Sequence, residues 1–361
     1  MTHSFQFTID HPDAGRRLDE FFASRFGGLS RMRIATLIDA GACLVNGTVA
    51  RAGYHILQGD AVEVSFEDGA PTSMTPEPIP LEIIYEDEQV IVVVKPAGML
   101  VHPTVGVKTG TVANALAYHL NKARIEDGGW TIGDLASPPP ESIDPRTSNP
   151  QPVTRPGLVH RLDRATSGLI LVAKTPRALA VLSRHFRKRL VEKRYLALVA
   201  GNVQKESGSI DAPIGRDPDQ RPRWRVMETG RAAETRFKVL ERMSCSTLLE
   251  LEPVTGRTNQ LRIHCAHIGH PIVGDEMYRD YKTRDSNAEM SMEPQGDVKQ
   301  SGVHEPQLGT RLCLHASSLA FHHPAGGEWM AFASSAPDDM QAIIGEYQNS
   351  WVDEQTSFKA P

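Results

Sequence analysis

Residues 67–80 read EDGAPTSMTPEPIP, with four prolines and almost no large apolar side chain. Proline fixes φ and removes a backbone donor, so this stretch suits neither a helix nor a central strand. It reads as an extended, semi-rigid linker. It divides the chain into a short N-terminal module and a larger domain beginning near Leu81. A chain of 361 residues has room for both. Its 40% hydrophobic and 23% charged residues are those of a folded protein with a sizeable core. No apolar run approaches the roughly 20 residues that span a bilayer. The first residues lack a basic segment followed by an apolar one, so neither a membrane partner nor a secretory leader is expected. Cys43, Cys245, Cys265 and Cys313 are scattered without a C-x-x-C pair. That argues against a disulfide framework and a cysteine-rich zinc site, and fits a cytoplasmic protein.

The net charge of −5 would speak against a nucleic-acid partner, but the charge is uneven. Between Arg155 and Arg231 stand 17 Lys and Arg against 7 Asp and Glu. A basic stretch inside an acidic chain reads as a focused face for an anion.

Residues 1–66 carry helix and hairpin signals. Leu18, Phe21, Phe22 and Phe26 recur at helical spacing, and Ser30 is placed to cap a second helix bearing Ile34, Leu37 and Ile38. Arg31 and Arg33 stand at its start, where backbone N–H groups also favour phosphate. Asn46-Gly47, between Cys43-Leu44-Val45 and Thr48-Val49, is a strong hairpin signal. An alternating strand over 61–66 closes the module. Arg17-Leu18-Asp19, Ser30-Arg31, Ile38 with Gly41, Val45-Asn46-Gly47 and Gly59-Asp60 resemble the S4-like RNA-binding domain, which implies an RNA contact through Arg31 and Arg33.

The larger domain spans 81–325, with 326–361 as a C-terminal end and tail. A strand over 90–94 runs into Lys95-Pro96-Ala97-Gly98, and apolar runs at 169–173, 195–199 and 247–251 read as further strands. A helix between the first two runs carries Leu179, Leu182, Phe186 and Leu190 as its apolar stripe. Segments 126–156 and 280–309 are rich in polar residues and read as long insertions.

Segment 158–174, LVHRLDRATSGLILVAK, carries the chemistry. Asp163 stands among His160, Arg161 and Arg164, with Thr166, Ser167 and Gly168 leading into an apolar strand. Charged residues on a loop anchored by a strand are the usual setting of catalytic groups. Residues 160–168 resemble the His-Arg-Leu-Asp-x-x-Thr-Ser-Gly signature of RluA-type RNA pseudouridine synthases without a mismatch. Further blocks agree in the family's order. They are Lys95-Pro96-Ala97-Gly98 with Val101-His102-Pro103, then Glu192 to Val199 around Tyr195. Gly256-Arg257-Thr258-Asn259-Gln260-Leu261-Arg262-Ile263-His264 follows with Gly269 to Asp275, and finally Leu314-His315-Ala316 with Phe321 and His323-Pro324. The family's usual histidine is Asn259 here.

The resemblance implies an α+β fold: a catalytic domain with a mixed, largely antiparallel sheet, behind the S4-like module. It implies an isomerase that breaks the C1′–N1 bond of a flipped-out uridine and joins C1′ to C5. Asp163 would be the carboxylate at C1′, acting as nucleophile or stabilising a cationic sugar. Arg262 would keep it ionised, and Tyr195 would stack on the base and serve in proton transfer. Arg161, with His160 and Arg164, would hold RNA. The expected partner is RNA, foremost large-subunit ribosomal RNA, with transfer RNA as an alternative. A monomer is expected, with no cofactor, because the isomerisation is redox-neutral.

His264, His267 and His270 with Cys265 invite a metal reading, but no full ligand set such as H-E-x-x-H is present, and no metal is expected. Lys95 reads better as part of a strand-to-turn junction than as a catalytic amine. Two rival functions remain: a non-catalytic RNA-binding assembly factor, and a nucleosidase or glycoside hydrolase, which would want a second carboxylate. Whether uridine is isomerised, merely bound or cleaved separates the three.

Overall fold

The computed structural model describes residues 2–25, 31–51, 53–67, 75–104, 106–126, 156–218, 223–279 and 311–357. Phe26, Ser30, Arg221, most of the linker, and almost all of the insertions read at 126–156 and 280–309 lie outside the described residues, as do the side chains of Arg31 and Arg33. The chain divides into two compact units, Met1–Pro80 with His102–Pro156, and Leu81–Val101 with Gly157–Pro361.

In the first unit, phenylalanines and branched residues recur at the spacings of a helix face and a strand face, and both faces close on one core. The elements are β1 (Thr2–Thr8), α1 (Leu18–Arg25), α2 (Arg31–Asp39), β2 (Cys43–Val45), β3 (Thr48–Val49) and β4 (Ala61–Glu67). The strands form an antiparallel sheet in the order β1-β4-β2-β3. Leu18, Phe21 and Phe22 of α1 and Ile34, Leu37 and Ile38 of α2 bury against Val45, Val62 and Val64. The β2–β3 turn has Asn46 at φ 51° and Gly47 at φ 76°, the paired positive φ values of a type I′ hairpin. Helices α3 (Val112–Leu120) and α4 (Lys122–Glu126) also belong to this unit. Residues His102–Pro156, read from sequence as part of the larger domain, group here instead. The tie is polar: Asn114 Nδ2 donates to the Thr75 carbonyl at 2.8 Å, and Gly110 N–H donates to the Glu77 carboxylate.

The second unit holds β5 (Glu82–Glu86), β6 (Val90–Lys95), β7 (Gly157–Leu158), β8 (Ser167–Ala173), α5 (Pro176–Arg187), β9 (Glu192–Ala200), β10 (Ser207–Asp211), β11 (Ile214–Arg216) and β12 (Trp224–Val226). β13 (Glu234–Arg242), β14 (Ser246–Pro253), α6 (Gln260–His267), β15 (Leu314–His322), β16 (Trp329–Ala333) and α7 (Asp338–Ser357) follow. Its main sheet runs β10-β13-β14-β9-β15-β8-β6-β5, with β16 beside β15 and β7 beside β8. Only β15 with β8 is parallel; the other named pairs are antiparallel. This is the mixed, largely antiparallel sheet expected.

Every residue of β8 is buried, which explains its unbroken apolar run. One face of β8 and β6 packs under α5, through Leu169, Leu171, Val90 and Val92 against Ala178 and Leu182. The buried stripe of α5 is narrower than expected: Leu179 is 37% exposed, and Leu190, 46% exposed, falls beyond the helix end. Within the C-terminal end, Asp338–Ser357 is helical. It forms α7, because Met340 and Ile344 stand one helical turn apart and bury that face.

Candidate active site

Asp163 sits on the loop between β7 and β8, and three local devices fix that loop. Lys95, fully buried at the end of β6, sends Nζ to the carbonyls of Pro96, Met99 and Arg164 at 2.8, 2.8 and 3.0 Å. Three acceptors match the three N–H donors of an ammonium. Burial nevertheless draws its pKa down to about 7. Arg164 closes the second device: its Nε donates to the Gly98 carbonyl, and its own carbonyl accepts from Gly98 N–H. Gly98 has φ 83°, a left-handed conformation that suits glycine. The third device is His160, whose Nε2 accepts from the Leu171 N–H at 2.9 Å while its ring stacks on Phe186. Burial, then the Lys193 charge, push its pKa down to about 3. His160 is therefore a neutral anchor rather than the cationic RNA contact expected, and Arg164 spends its Nε on the backbone.

Tyr195 stands on β9, two strands from β8, and β15 lies between them. Ala316 pairs with Gly168 on one side and with Tyr195 on the other. Gly168 has φ 119°, and a Cβ there would strike the Ala316 backbone. The Ser-Gly end of the signature is thus a close-approach site that sets the spacing between the Asp163 loop and Tyr195.

Arg262 projects from α6. The start of that helix is tied down by buried Gln260, which accepts from Thr255 Oγ1 and Arg257 N–H and donates to Thr235 Oγ1 and the Glu234 carbonyl. Arg262 Nε and Nη2 donate to Asp275 at 2.7 Å each, a bidentate pair, and the Asp275 side chain is wholly enclosed. Arg262 Nη1 faces Asn259 Oδ1 at 3.4 Å, and Asn259 Nδ2 donates to Tyr278 Oη at 3.2 Å. The Tyr278 ring lies under the guanidinium, 5.1 Å from it. Asn259 adopts the left-handed conformation, φ 54° and ψ 21°, which asparagine tolerates well.

One cavity of about 710 Å³ is lined by Asp163, Tyr195, Arg262, Arg161 and His160. That volume suits a small-molecule-sized group such as a nucleoside. Asp163 is half-buried, and desolvation raises its pKa; Arg262, then Arg161, oppose the rise, and Asp275 adds to it. Burial, then the Asp163 charge, push the Tyr195 phenol upward, so it holds its proton. Arg161 is exposed and makes no hydrogen bond or ion pair among the described residues. A carboxylate, a fixed guanidinium, a protonated phenol and an unpaired arginine thus meet around one space.

Comparison with known proteins shows the family of the chain. A profile of the RNA pseudouridylate synthase family matches residues 89–267. The "Uncharacterized RNA pseudouridine synthase YlyB" of Bacillus subtilis is 35% identical over 342 residues, covering 95% of this chain and 97% of that protein. The chain belongs to the RNA pseudouridine synthase family. Ribosomal large subunit pseudouridine synthase D of Pseudomonas aeruginosa is 36% identical, with 91% of each chain covered. The human RNA Pseudouridylate Synthase Domain Containing 4 structure has a TM-score of 0.50 at 22% identity, over 74% of this chain and 92% of that one, and shares the fold. The chain is accordingly an isomerase of RNA uridine.

Within this synthase, sequence reasoning missed Asp275, although it stands inside a quoted block. It also left Lys95 without its carbonyl partners and Ala316 without a role. Trp224 is not at the cavity: it packs beside Ile214 and Ile263, with Arg216 over its ring. His264 is neutral, its pKa drawn down to about 4 by burial, and both ring nitrogens are engaged by Thr235 Oγ1 and the Ala212 carbonyl. Among the described residues no group of three or more His, Cys, Asp or Glu could hold a metal ion. Among them, too, no helix is long and apolar enough to cross a membrane.

Proposed function

We propose that Asp163 is the carboxylate that acts at C1′ of a uridine flipped into this cavity, and that the RNA is large-subunit ribosomal RNA. The observation that carries the reading is the meeting of Asp163 with Arg262, Tyr195 and Arg161 around one cavity. The substrate reading draws on relatives named ribosomal large subunit pseudouridine synthase D, such as that of Nitrosomonas europaea, 35% identical over 348 residues.

The C1′–N1 bond breaks with its electron pair retained by the uracil ring. Asp163 bonds to C1′, or stabilises its positive character while a proton leaves C2′. The ring turns and C5 joins C1′ as the Asp163–C1′ bond breaks or, on the other route, as C2′ regains its proton; the C5 proton then departs while N1 gains one. Tyr195, on the wall as a phenol, bounds the ring and offers a proton rather than accepting one at rest. Arg262 stabilises the Asp163 carboxylate through space, which counters desolvation. Arg161 has the exposure and the unsatisfied donors to fill the stack vacated by the flipped base. The N-terminal module we read as S4-like, with Arg31 and Arg33 toward RNA.

The test is tritium release from an unmodified large-subunit ribosomal RNA transcript labelled at uridine C5. Wild type is expected to release tritium, and Asp163→Asn to release none while keeping nearly the same RNA affinity. Substantial turnover by Asp163→Asn would remove that residue from its role. Release from a transfer-RNA pool alone would replace the ribosomal substrate, and binding without release would favour the assembly-factor reading.

A further inference from the structure

Several arginines of the second unit are matched to carboxylates. Arg242 pairs with Glu206, Arg236 with Glu252, Arg225 with Asp217, Arg311 with Asp339 and Arg262 with Asp275. Others, Arg161 among them, are not. Arg189, Arg231 and Arg257 have no carboxylate within ion-pair distance among the described residues. Arg189 and Arg257 line one cavity, Arg257 is tied to the residue next to Arg231, and burial, then the like charges of Arg231 and Arg189, lower the Arg257 pKa.

Arg189 and Arg257 line the same cavity as Asp163. Arg257 is aimed by one hydrogen bond, Nε to the Ala232 carbonyl at 3.0 Å, next to Arg231 in the chain. Its two Nη groups make no hydrogen bond among the described residues, so the fork is oriented and still open.

The backbone at Arg189 adds a second, independent observation. Helix α5 ends in a Schellman motif: Leu190 N–H donates to the His185 carbonyl at 2.9 Å, and Arg189 N–H to the Phe186 carbonyl at 3.2 Å. The left-handed position of that motif normally belongs to glycine, and here it is Arg189 at φ 58°. A long charged side chain in that conformation strains the fold locally and puts a cation at the cavity edge. Strain of this kind at a cavity points to a functional demand.

We propose that Arg189, Arg231 and Arg257 form a cradle for an RNA backbone phosphate beside the uridine held at Asp163. A phosphodiester supplies the missing negative charge and fits the planar guanidinium fork bidentately. The proposal rests on the reading that the cavity receives RNA, and locates where its backbone is held. Phosphate contacts carry no sequence, so the cradle sets affinity and orientation rather than choice of uridine.

The experiment measures affinity against salt for wild type, Arg257→Ala, Arg231→Ala and Arg189→Gly. The probes are the unmodified ribosomal transcript and a scrambled RNA of the same length. Each variant is expected to flatten the log–log salt slope by about 0.7–0.9, equally for both RNAs, and to raise KM more than it lowers the single-turnover rate. Arg257→Lys should recover most of the slope but only part of the affinity. Arg189→Gly separates this role from a structural one. Glycine relieves the left-handed strain, so its Tm should rise by about 2 °C while RNA binding weakens. Wild-type salt slopes in all three variants would overturn the cradle while leaving the isomerase reading intact. Loss of turnover on the ribosomal transcript by wild type itself would overturn the substrate reading, and the scrambled RNA would still decide the cradle.

Discussion

Arg262 acts on two carboxylates, on Asp275 by contact and on Asp163 through space. Asp275 thus restrains Arg262 and adds its own negative charge near the Asp163 carboxylate. Desolvation raises the Asp163 pKa, and the Asp275 charge adds to the rise. The acid limb of the pH–rate profile should therefore stand above the ordinary aspartate range, with turnover lost as pH falls through it. In Asp275→Asn the opposing charge is gone and Arg262 is free to turn to Asp163, so the limb should move to lower pH. Removing one partner of an enclosed ion pair should also cost about 3 kcal/mol, read by a denaturant melt. An unmoved limb would show that Asp275 does not tune Asp163. The stability of Asp163 itself has the opposite sign from most aspartates. Its folded pKa is raised, so the native state is progressively penalised as pH rises through the window above the ordinary aspartate value. Asp163→Asn should then melt above wild type at neutral pH, with the difference vanishing in acid.

Among the elements, β15 bears most on the site, because Ala316 touches both Gly168 and Tyr195 in register. Gly168→Ala would drive a Cβ into the Ala316 backbone and part β8 from β15; a loss of about 4 kcal/mol and of turnover is expected. Lys95→Met would leave three carbonyls at the foot of the Asp163 loop without their donor, for a loss of about 3 kcal/mol by thermal or denaturant melt. Runs such as 169–173 and 195–199 were legible as strands because burial on both faces leaves a continuous apolar stretch. The α5 stripe was overextended to Leu190 because periodicity does not announce a helix end closed by arginine instead of glycine. The β8–β15 pairing joins Ser167 to His315 and leaves no local pattern to read. Asp163, Tyr195 and Arg262 were legible through their motifs, whereas Asp275 was not, since a carboxylate 13 residues from its arginine has no characteristic spacing. His160 was misread for a related reason: its charge is decided by the Leu171 amide and by burial, both of which come from tertiary packing.

For the whole molecule, the two units divide the labour proposed above. The first unit's buried cluster runs from Phe7 to Val64 and includes no residue of the cavity. Deleting residues 1–70 should weaken RNA binding by about tenfold, or redirect it, while the single-turnover rate on bound uridine falls less. Equal affinity and an unchanged map of modified uridines would remove the module from recognition. The second unit raises a question of timing. Ser167 Oγ meets His315 Nδ1 across 148 positions of sequence, and β15 is the strand that brings the Asp163 loop and Tyr195 into register. A nascent chain emerges from its N-terminus, so β8 and β9 are made long before the strand that belongs between them. Until then each presents an open edge, and closing so long a loop is slow. The Asp163 loop and Tyr195 consequently come into register only once β15 has been made, long after the strands that carry them.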